Sequence, residues 1–420
     1  MSDNAVYSLL ITHYSSLKNA KYFGEVKIMM PKKISIKNGR VITSQGILDG
    51  ATVVVEDELI TQIVPNDVDV KEAEVIDATG LYVSPGFIDI HVHGGNGSDT
   101  MDGTVEDILN ITTFHSGGGT TSMLPTTASD SLERLIGAIE AARVAKSKQG
   151  VGTRILGLHL EGPYFNLSKK GCHLERFVRN PEPTEYRQLL EHDDMIRSMT
   201  LAPEIPGAMQ LIKELTQHGI IASCGHSEAS YTQMVEAVSQ GVKHITHLYC
   251  AMSSIIREGA KRQGGIVEAA LLMDELTTEV IADGKHLPPE LIKLTIKCKT
   301  PDGVALVTDA MRGAGMPDGI YTFGAKDGTQ AIVKDGEAKM PDGSGYASSV
   351  VRMNDMIKVM RDIIGVPLED AVKMASLTPA RILGVDDKFG SIEVGKQGDI
   401  VLLDEELNVK KTMVGGILLS

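Results

Sequence analysis

From residue 86 to about 310 the chain alternates short apolar, β-branched runs with stretches of helical spacing. The runs fall at 86–91, 120–124, 154–160, 196–201, 220–224, 243–247, 278–282 and 303–308. The helical stretches include 130–148, where Leu132, Leu135, Ile136, Ile139 and Ala142 share one face, and also 207–218, 230–239, 265–274 and 288–298. Eight strands alternating with helices predict an α/β protein built on a (β/α)8, or TIM, barrel rather than an open sheet, because no strand is left over. No GxGxxG follows the first run, so a dinucleotide-binding sheet has little support.

The flanks read differently. Residues 32–85 contain short strands, Ile34–Lys37, Thr52–Glu56, Leu59–Val64 and Glu74–Asp77, separated by turns such as Asn38-Gly39 and Asp49-Gly50. Strands return near the end, at Ser391–Val394, Asp399–Leu403 and Val409–Val414. The economical arrangement pairs 32–85 with 386–420 as one small flanking β-sandwich, leaving 86–385 as the barrel. Within the latter, residues 316–345 are rich in Gly and Asp and predict a hairpin excursion; helices follow at 349–364, 367–376 and 379–384, the last opened by Thr378-Pro379. Residues 1–31 are polar and weakly patterned and are expected to be a disordered extension or to stem from an upstream misassigned start.

Composition narrows the partners. A net charge of −14 argues against a phosphate-backbone binder, and 4% aromatics with no Trp argue against a stacking platform for nucleic acid. A small anionic substrate held by one or two arginines remains compatible. Cys172, Cys224, Cys250 and Cys298 show no CxxC spacing, which fits a reducing cytoplasm better than a disulfide framework. No apolar run reaches ~18 residues, so no membrane span is expected.

The chemistry is concentrated where apolar runs turn polar. In GFIDIHVHGGNG, His91 and His93 are two residues apart on a strand and therefore point the same way. Later strand ends supply Glu161 in LHLEGPY, His226 in SCGHS, His247 in HITHLY, Asp283 and His286 in ADGKH, and Asp309 in LVTDAM. Barrel enzymes carry their active groups at the carboxyl ends of the strands, and chance would scatter such residues over both ends. Imidazoles and carboxylates without thiolates suit a divalent Zn, Fe, Mn or Co ion, one or two per subunit, with Glu161 as the natural bridge. Such an ion would lower the pKa of a bound water to roughly 7, and Asp309 is free to take its proton and hand it to a leaving group. His244 is expected to be structural, and His115, His192 and His218 are assigned no role. His159 faces the same way as Glu161 and is a candidate to support a ligand.

The HxH on the first strand, the histidines after strands five and six and the Asp after strand eight resemble the amidohydrolase superfamily. Within it, LEGPYFNLSKKGCH, GHS, THLYCAM, ADGKH and LVTDAM resemble the N-acetylglucosamine-6-phosphate deacetylases, over residues ~33 to 420. The resemblance implies Glu161, His226 and His247 as shared metal ligands, His91 and His93 as ligands of a second ion, and Asp309 as general base and acid. It implies that His173 and His286 hydrogen-bond the substrate and that Cys172, Cys250, Ala251, Tyr346, Ala347 and Ser348 line the sugar pocket. It further implies a homodimer in which an arginine, Arg257 or Arg262, reaches the phosphate of an amino-sugar phosphate in the neighbouring subunit.

Three departures touch substrate recognition. Cys250-Ala251 stands where the family has Asn-Ala; the Arg-Glu-Pro-Gly loop is replaced by the longer IIREGAKRQGG; Tyr346-Ala347-Ser348-Ser349 replaces Leu-Ala-Gly-Ser. N-acetylgalactosamine 6-phosphate or an unphosphorylated N-acetyl sugar are therefore alternative substrates. A cyclic amide hydrolase or deaminase of the same superfamily is the alternative chemistry, although Leu201-Ala202-Pro203-Glu204 offers no lysine for a carboxylated bridge. An inactive sugar-phosphate binder is the alternative without catalysis, and Asp309 argues against it.

Overall fold

The computed structural model describes residues 33–148 and 152–419. The expectation for residues 1–31 lies outside the described residues. Eight parallel strands form the frame: β1 (Phe87–Val92), β2 (Thr120–Thr127), β3 (Leu158–Glu161), β4 (Ile196–Leu201), β5 (Ile221–Cys224), β6 (Val242–Ile245), β7 (Thr277–Val280) and β8 (Val304–Leu306). Each pairs in parallel with the next. The circle closes between β8 and β1, where the Asp309 N–H donates to the His91 carbonyl at 2.8 Å. At the same seam the Thr308 N–H donates to Asp89 Oδ1 at 3.2 Å, and its hydroxyl donates to Asp89 Oδ2.

Helices surround this ring: α1 (Val105–Ser116), α2 (Leu132–Ser147), α3 (Pro183–Leu190), α4 (Ala208–Gln217), α5 (Tyr231–Gln240), α6 (Ile266–Leu272) and α7 (Pro289–Lys299). Local chemistry sets their starts. The Ser131 side chain accepts from the Arg134 N–H to open α2, and Ser230 and Gln233 form a reciprocal cap on α5. Leu135, Ala138, Ile139 and Ala142 of α2 then pack into the main core with Leu158 and Leu160 of β3. The spacing predicts α2, α4, α5, α6 and α7 but misses α1 and α3. The buried face of α1 mixes Ile108 and Ile111 with Thr112 and His115, and α3 has only 8 residues.

The first and last described segments, 33–85 and 400–419, meet in one sandwich. One sheet runs Leu59–Pro65, Ala51–Glu56, Lys33–Lys37, Glu74–Asp77. The other runs Ile417–Leu419, Val409–Val414, Ile400–Leu403, Tyr82–Pro85, Arg40–Thr43, Gly46–Leu48. The joint is the antiparallel pair Ile400–Leu403 with Tyr82–Pro85. Ile34, Ile36, Val53, Val55, Ile400, Leu402 and Met413 fill the space between the sheets. Ser391–Val394, expected as a strand, is instead irregular chain between Gly390 and Gly395, both at positive φ (90° and 92°), and tucks Ile392 into this core. The strands not anticipated are 3 or 4 residues long, too short to display alternation.

Past β8, Gly319–Phe323, Thr329–Lys334 and Glu337–Lys339 form a three-stranded antiparallel sheet rather than a single hairpin. Helices α8 (Met353–Val359), α9 (Leu368–Ala375) and α10 (Leu377–Ile382) follow. The last helix begins one residue before the expected Thr378 cap, because the Ser376 carbonyl already accepts from the Ala380 N–H. Among the described residues no helix is long and apolar enough to cross a membrane.

One ion pair fastens the barrel to the sandwich. Arg154, beside β2, reaches Asp399 at 2.5 and 3.3 Å, and Asp399 also accepts from the Gly415 N–H at 2.7 Å. Both side chains are largely shielded, so removing one partner strands the other. Asp399→Ala is expected to cost about 3 kcal/mol, measured as a shift of the denaturant midpoint.

Candidate active site

All the chemistry-bearing strand ends lie at one mouth of the barrel. Asp89, His91 and His93 alternate inward from β1. Glu161 ends β3, His226 and His247 each stand two residues past β5 and β6, and Asp309 stands three past β8. His226, His247 and Asp309 have positive φ values of 50°, 29° and 46°. Non-glycine residues occupy that region only where the surroundings hold them, here by turning the chain off the strand so that the side chain faces inward.

Glu161 is the centre of the cluster and is 2% exposed. Its Oε1 lies 3.0 Å from His247 Nε2, 3.2 Å from His226 Nε2 and 3.4 Å from His91 Nε2. Its Oε2 lies 3.2 Å from His93 Nε2 and 3.1 Å from His173 Nε2. Two trios result, His91–His93–Glu161 and Glu161–His226–His247, each with ligand atoms within 4.8 Å of one another. The Nε2 atoms of His226 and His247 face each other at 3.0 Å, and those of His91 and His93 at 3.3 Å. The outer nitrogen of His226 donates to the Lys169 carbonyl at 2.8 Å and that of His91 to Glu279 at 2.9 Å. Both imidazoles therefore present Nε2 lone pairs to the cluster, and these donors fit a divalent cation in each trio.

Electrostatics agree with a cation-seeking site. Burial disfavours charge on Glu161, yet the surrounding histidines, His91 first, hold its carboxyl well below the usual range. The converse balance, burial against Glu161 and Asp309, raises His93 to about 9. Asp309 is likewise held down against its burial by His91 and His93. Its Oδ1 accepts from Ser348 Oγ at 2.9 Å and lies 3.3 Å from His93 Nε2. Burial lowers His173 to about 4, keeping the ring neutral. Its Nδ1 accepts from the Ser129 N–H at 3.0 Å, which leaves the proton on the Nε2 that faces Glu161.

The trios open into a cavity of about 330 Å³. Of the residues expected there, Cys172, His173, Cys250, Ala251, His286, Tyr346 and Ser348 line it. Asp283 Oδ2 holds His286 Nδ1 at 2.7 Å, and the ring lies against Tyr346 with centroids 4.4 Å apart. Ala347 is placed elsewhere: it is fully buried in the main core, with its N–H bonded to the Ala338 carbonyl. Arg257 and Arg262 are also outside this cavity. They sit opposite each other on an exposed two-stranded hairpin, Ile256–Glu258 with Lys261–Gln263. His159 supports the site from behind, with its Nε2 2.6 Å from Thr200 Oγ1 and its ring edge-on to His91 at 4.6 Å.

Several site neighbours escaped sequence reasoning. Phe165 stacks on His226 at 4.3 Å, and Phe323, delivered by the three-stranded excursion, meets His93 at 4.7 Å. Lys169, Ser344 and Gly345 line the cavity. Glu279 touches His91, His244 and the His247 backbone from inside β7. A glutamate inside the apolar run TEVIA was its available signal; nothing in the Gly/Asp-rich excursion marked Phe323.

A barrel whose strand ends bring two histidine–carboxylate trios around one glutamate defines a metal-binding centre of the hydrolytic kind. The chain belongs to the Amidohydrolase family, whose pattern matches residues 82–419, and this family is metal-dependent. It is 37% identical over 351 residues to an N-acetylglucosamine-6-phosphate deacetylase of Vibrio furnissii, covering 83% of this chain and 85% of that one. It is 35% identical to an N-acetylgalactosamine-6-phosphate deacetylase of Escherichia coli O157:H7, covering 91% of this chain and 98% of the relative. The crystal structure of N-acetylglucosamine-6-phosphate deacetylase from Pasteurella multocida superposes with a TM-score of 0.87 at 32% identity, covering 92% of this chain and 100% of that one.

Ions that bind only the folded protein stabilise it, by about 4 kcal/mol when present at a thousandfold excess over Kd. Stripping metal with a chelator is expected to lower the melting temperature by several degrees, and Zn²⁺, Mn²⁺ or Co²⁺ to restore it. Because metal-free His93 titrates near 9, it carries a proton at neutral pH that a metal must displace. Metal uptake should release protons, and affinity should weaken as pH falls. Calorimetry in buffers of different ionisation enthalpy checks the sign.

Proposed function

We propose that this enzyme hydrolyses the acetamide of an N-acetylhexosamine 6-phosphate, N-acetylglucosamine 6-phosphate foremost, to acetate and the amino sugar phosphate. The observation that carries the reading is Asp309, a carboxylate anchored by Ser348 at 2.9 Å and set beside the ligand cluster at the cavity wall. One or two divalent ions, of Zn, Fe, Mn or Co, would be held by Glu161, His226 and His247 and by His91, His93 and Glu161. Bound there, they supply Lewis acidity and lower the pKa of water.

The remaining steps belong to the chain. Asp309 accepts the proton of the attacking water and returns it to the amine nitrogen as the C–N bond breaks. His173 keeps its Nε2–H directed into the site and donates to the acetyl oxygen as charge develops on it. His286, braced by Asp283, hydrogen-bonds the sugar, and Cys172, Cys250, Ala251, Tyr346 and Ser348 shape the space around it. Catalysis needs these groups pre-placed, and His173, His286 and Asp309 are each fixed by a bond already present in the free protein.

The phosphate is assigned to a partner. Arg257 and Arg262 project side by side from an exposed hairpin beyond their own cavity, and Ile255, next to the hairpin in the chain, is 68% exposed. These features support a homodimer in which one of the two arginines meets the phosphate bound by the neighbouring subunit. Similarity to deacetylases of both 6-phosphorylated sugars supports the phosphorylated substrate and leaves the configuration at C4 to experiment.

Acetate release should be measured across phosphorylated and unphosphorylated N-acetylhexosamines, with metal analysis on the same sample. Activity on the 6-phosphates is expected; activity confined to a cyclic imide would overturn the proposal. Asp309→Asn is expected to reduce kcat by roughly 10²–10⁴-fold with unchanged metal content. Persistent turnover in that variant would remove Asp309 from the mechanism.

A further inference from the structure

Glu279 lies inside β7, 2% exposed, behind the cavity rather than on its wall. Its Oε2 accepts from His91 Nδ1 at 2.9 Å and from the backbone N–H of His247 at 3.0 Å. Its Oε1 lies 3.2 Å from His244 Nε2, whose Nδ1 lies 2.7 Å from Thr277 Oγ1 on the same strand as Glu279. One carboxylate oxygen thus touches a member of each ligand trio: the side chain of His91 from the first and the main chain of His247 from the second.

We propose that Glu279 is a positioning residue that couples the two ion seats, so that their affinities rise and fall together. The inference rests on the metal-centre reading above. Through His91 it acts on the tautomer: a carboxylate at Nδ1 keeps the proton there and leaves the Nε2 lone pair for the metal. His93 offers no such backing, since its Nδ1 has no hydrogen-bond partner, so the first seat depends on His91 being held. Through His247 it acts on the backbone. His247 sits at φ 29°, a conformation its neighbours must enforce, and the bond from its N–H to Glu279 is one of the enforcing contacts. His247 Nδ1 is also unpartnered, so this main-chain bond does the orienting that a side-chain bond performs for His226. His244 supplies the third donor and stops the carboxylate from rotating away. Only a carboxylate can accept from all three; an amide would turn a donor toward one of them.

The test is metal binding rather than turnover. Metal-free wild type and Glu279→Gln are titrated with Co²⁺, following ion affinity and the visible absorption that reports ligand geometry, with ions per subunit confirmed by elemental analysis. The expected result is a roughly ten- to hundredfold loss of affinity at the His91/His93 seat, a measurable weakening at the His226/His247 seat, and an altered spectrum. Combining His91→Asn with Glu279→Gln should cost that first seat no more than His91→Asn alone, because the glutamate acts through the histidine. Wild-type affinity at both seats in Glu279→Gln overturns the proposal, as does a loss confined to one seat. Should Glu279→Gln fail to fold, Glu279→Asp keeps the charge but withdraws it by one methylene, and the same paired loss is expected of it. A wild type that binds no cobalt refutes the metal-centre reading itself, a result distinguishable from a variant that behaves like wild type.

Discussion

A single buried carboxylate faces five imidazole nitrogens. Glu161 could not remain ionised at 2% exposure without compensating positive charge, and the nitrogens that face each other beside it, His226 with His247 at 3.0 Å and His91 with His93 at 3.3 Å, leave each trio suited to a cation. The arrangement of the barrel mouth follows from that balance. β3 delivers the carboxylate, β1 brings two histidines from one side, β5 and β6 bring two from the other, and β8 places Asp309 beside them. Each contributor ends in the same plane because parallel strands of a closed barrel share one direction.

Precision at that plane comes from polar groups one layer back. Lys169 holds the outer nitrogen of His226, Glu279 that of His91, Ser129 that of His173 and Asp283 that of His286. The β8–β1 seam belongs to the same layer: Asp89 accepts from Thr308 and from the His91 N–H, joining the strand that carries Asp309 to the strand that carries HxH. Asp89 is fully buried, and burial pushes it up to about 7 even with those donors in place. Three site residues in left-handed backbone conformations store strain that the packed ring around them sustains.

The flanking sandwich and the excursion after β8 have different relations to the site. The sandwich joins segments 33–85 and 400–419 and is tied to the barrel by Arg154 and Asp399. The excursion reaches the site itself, carrying Phe323 against His93 and His173 and placing Ser344, Gly345 and Tyr346 at the cavity. The excursion therefore helps set what the cavity admits.

Periodicity made the barrel legible, since a strand buried on both faces must be a continuous apolar run and a helix lying on it must repeat its apolar face. It failed at α1, α3 and the short sandwich strands, where few residues carry the signal. Strand ends marked His91, His93, Glu161, His226, His247 and Asp309 because a polar residue closing an apolar run is visible in one dimension. Ala347, Arg257, Arg262, Phe323 and Glu279 depended on which way a loop turned or which strand became a neighbour. The amino-acid sequence by itself determined the strand–helix alternation, the donor types and their order along the chain. Only the tertiary structure decided that Glu161 stands between both trios, that Glu279 touches one member of each, and that Ala347 faces the core, because those relations are distances between strands far apart in the chain.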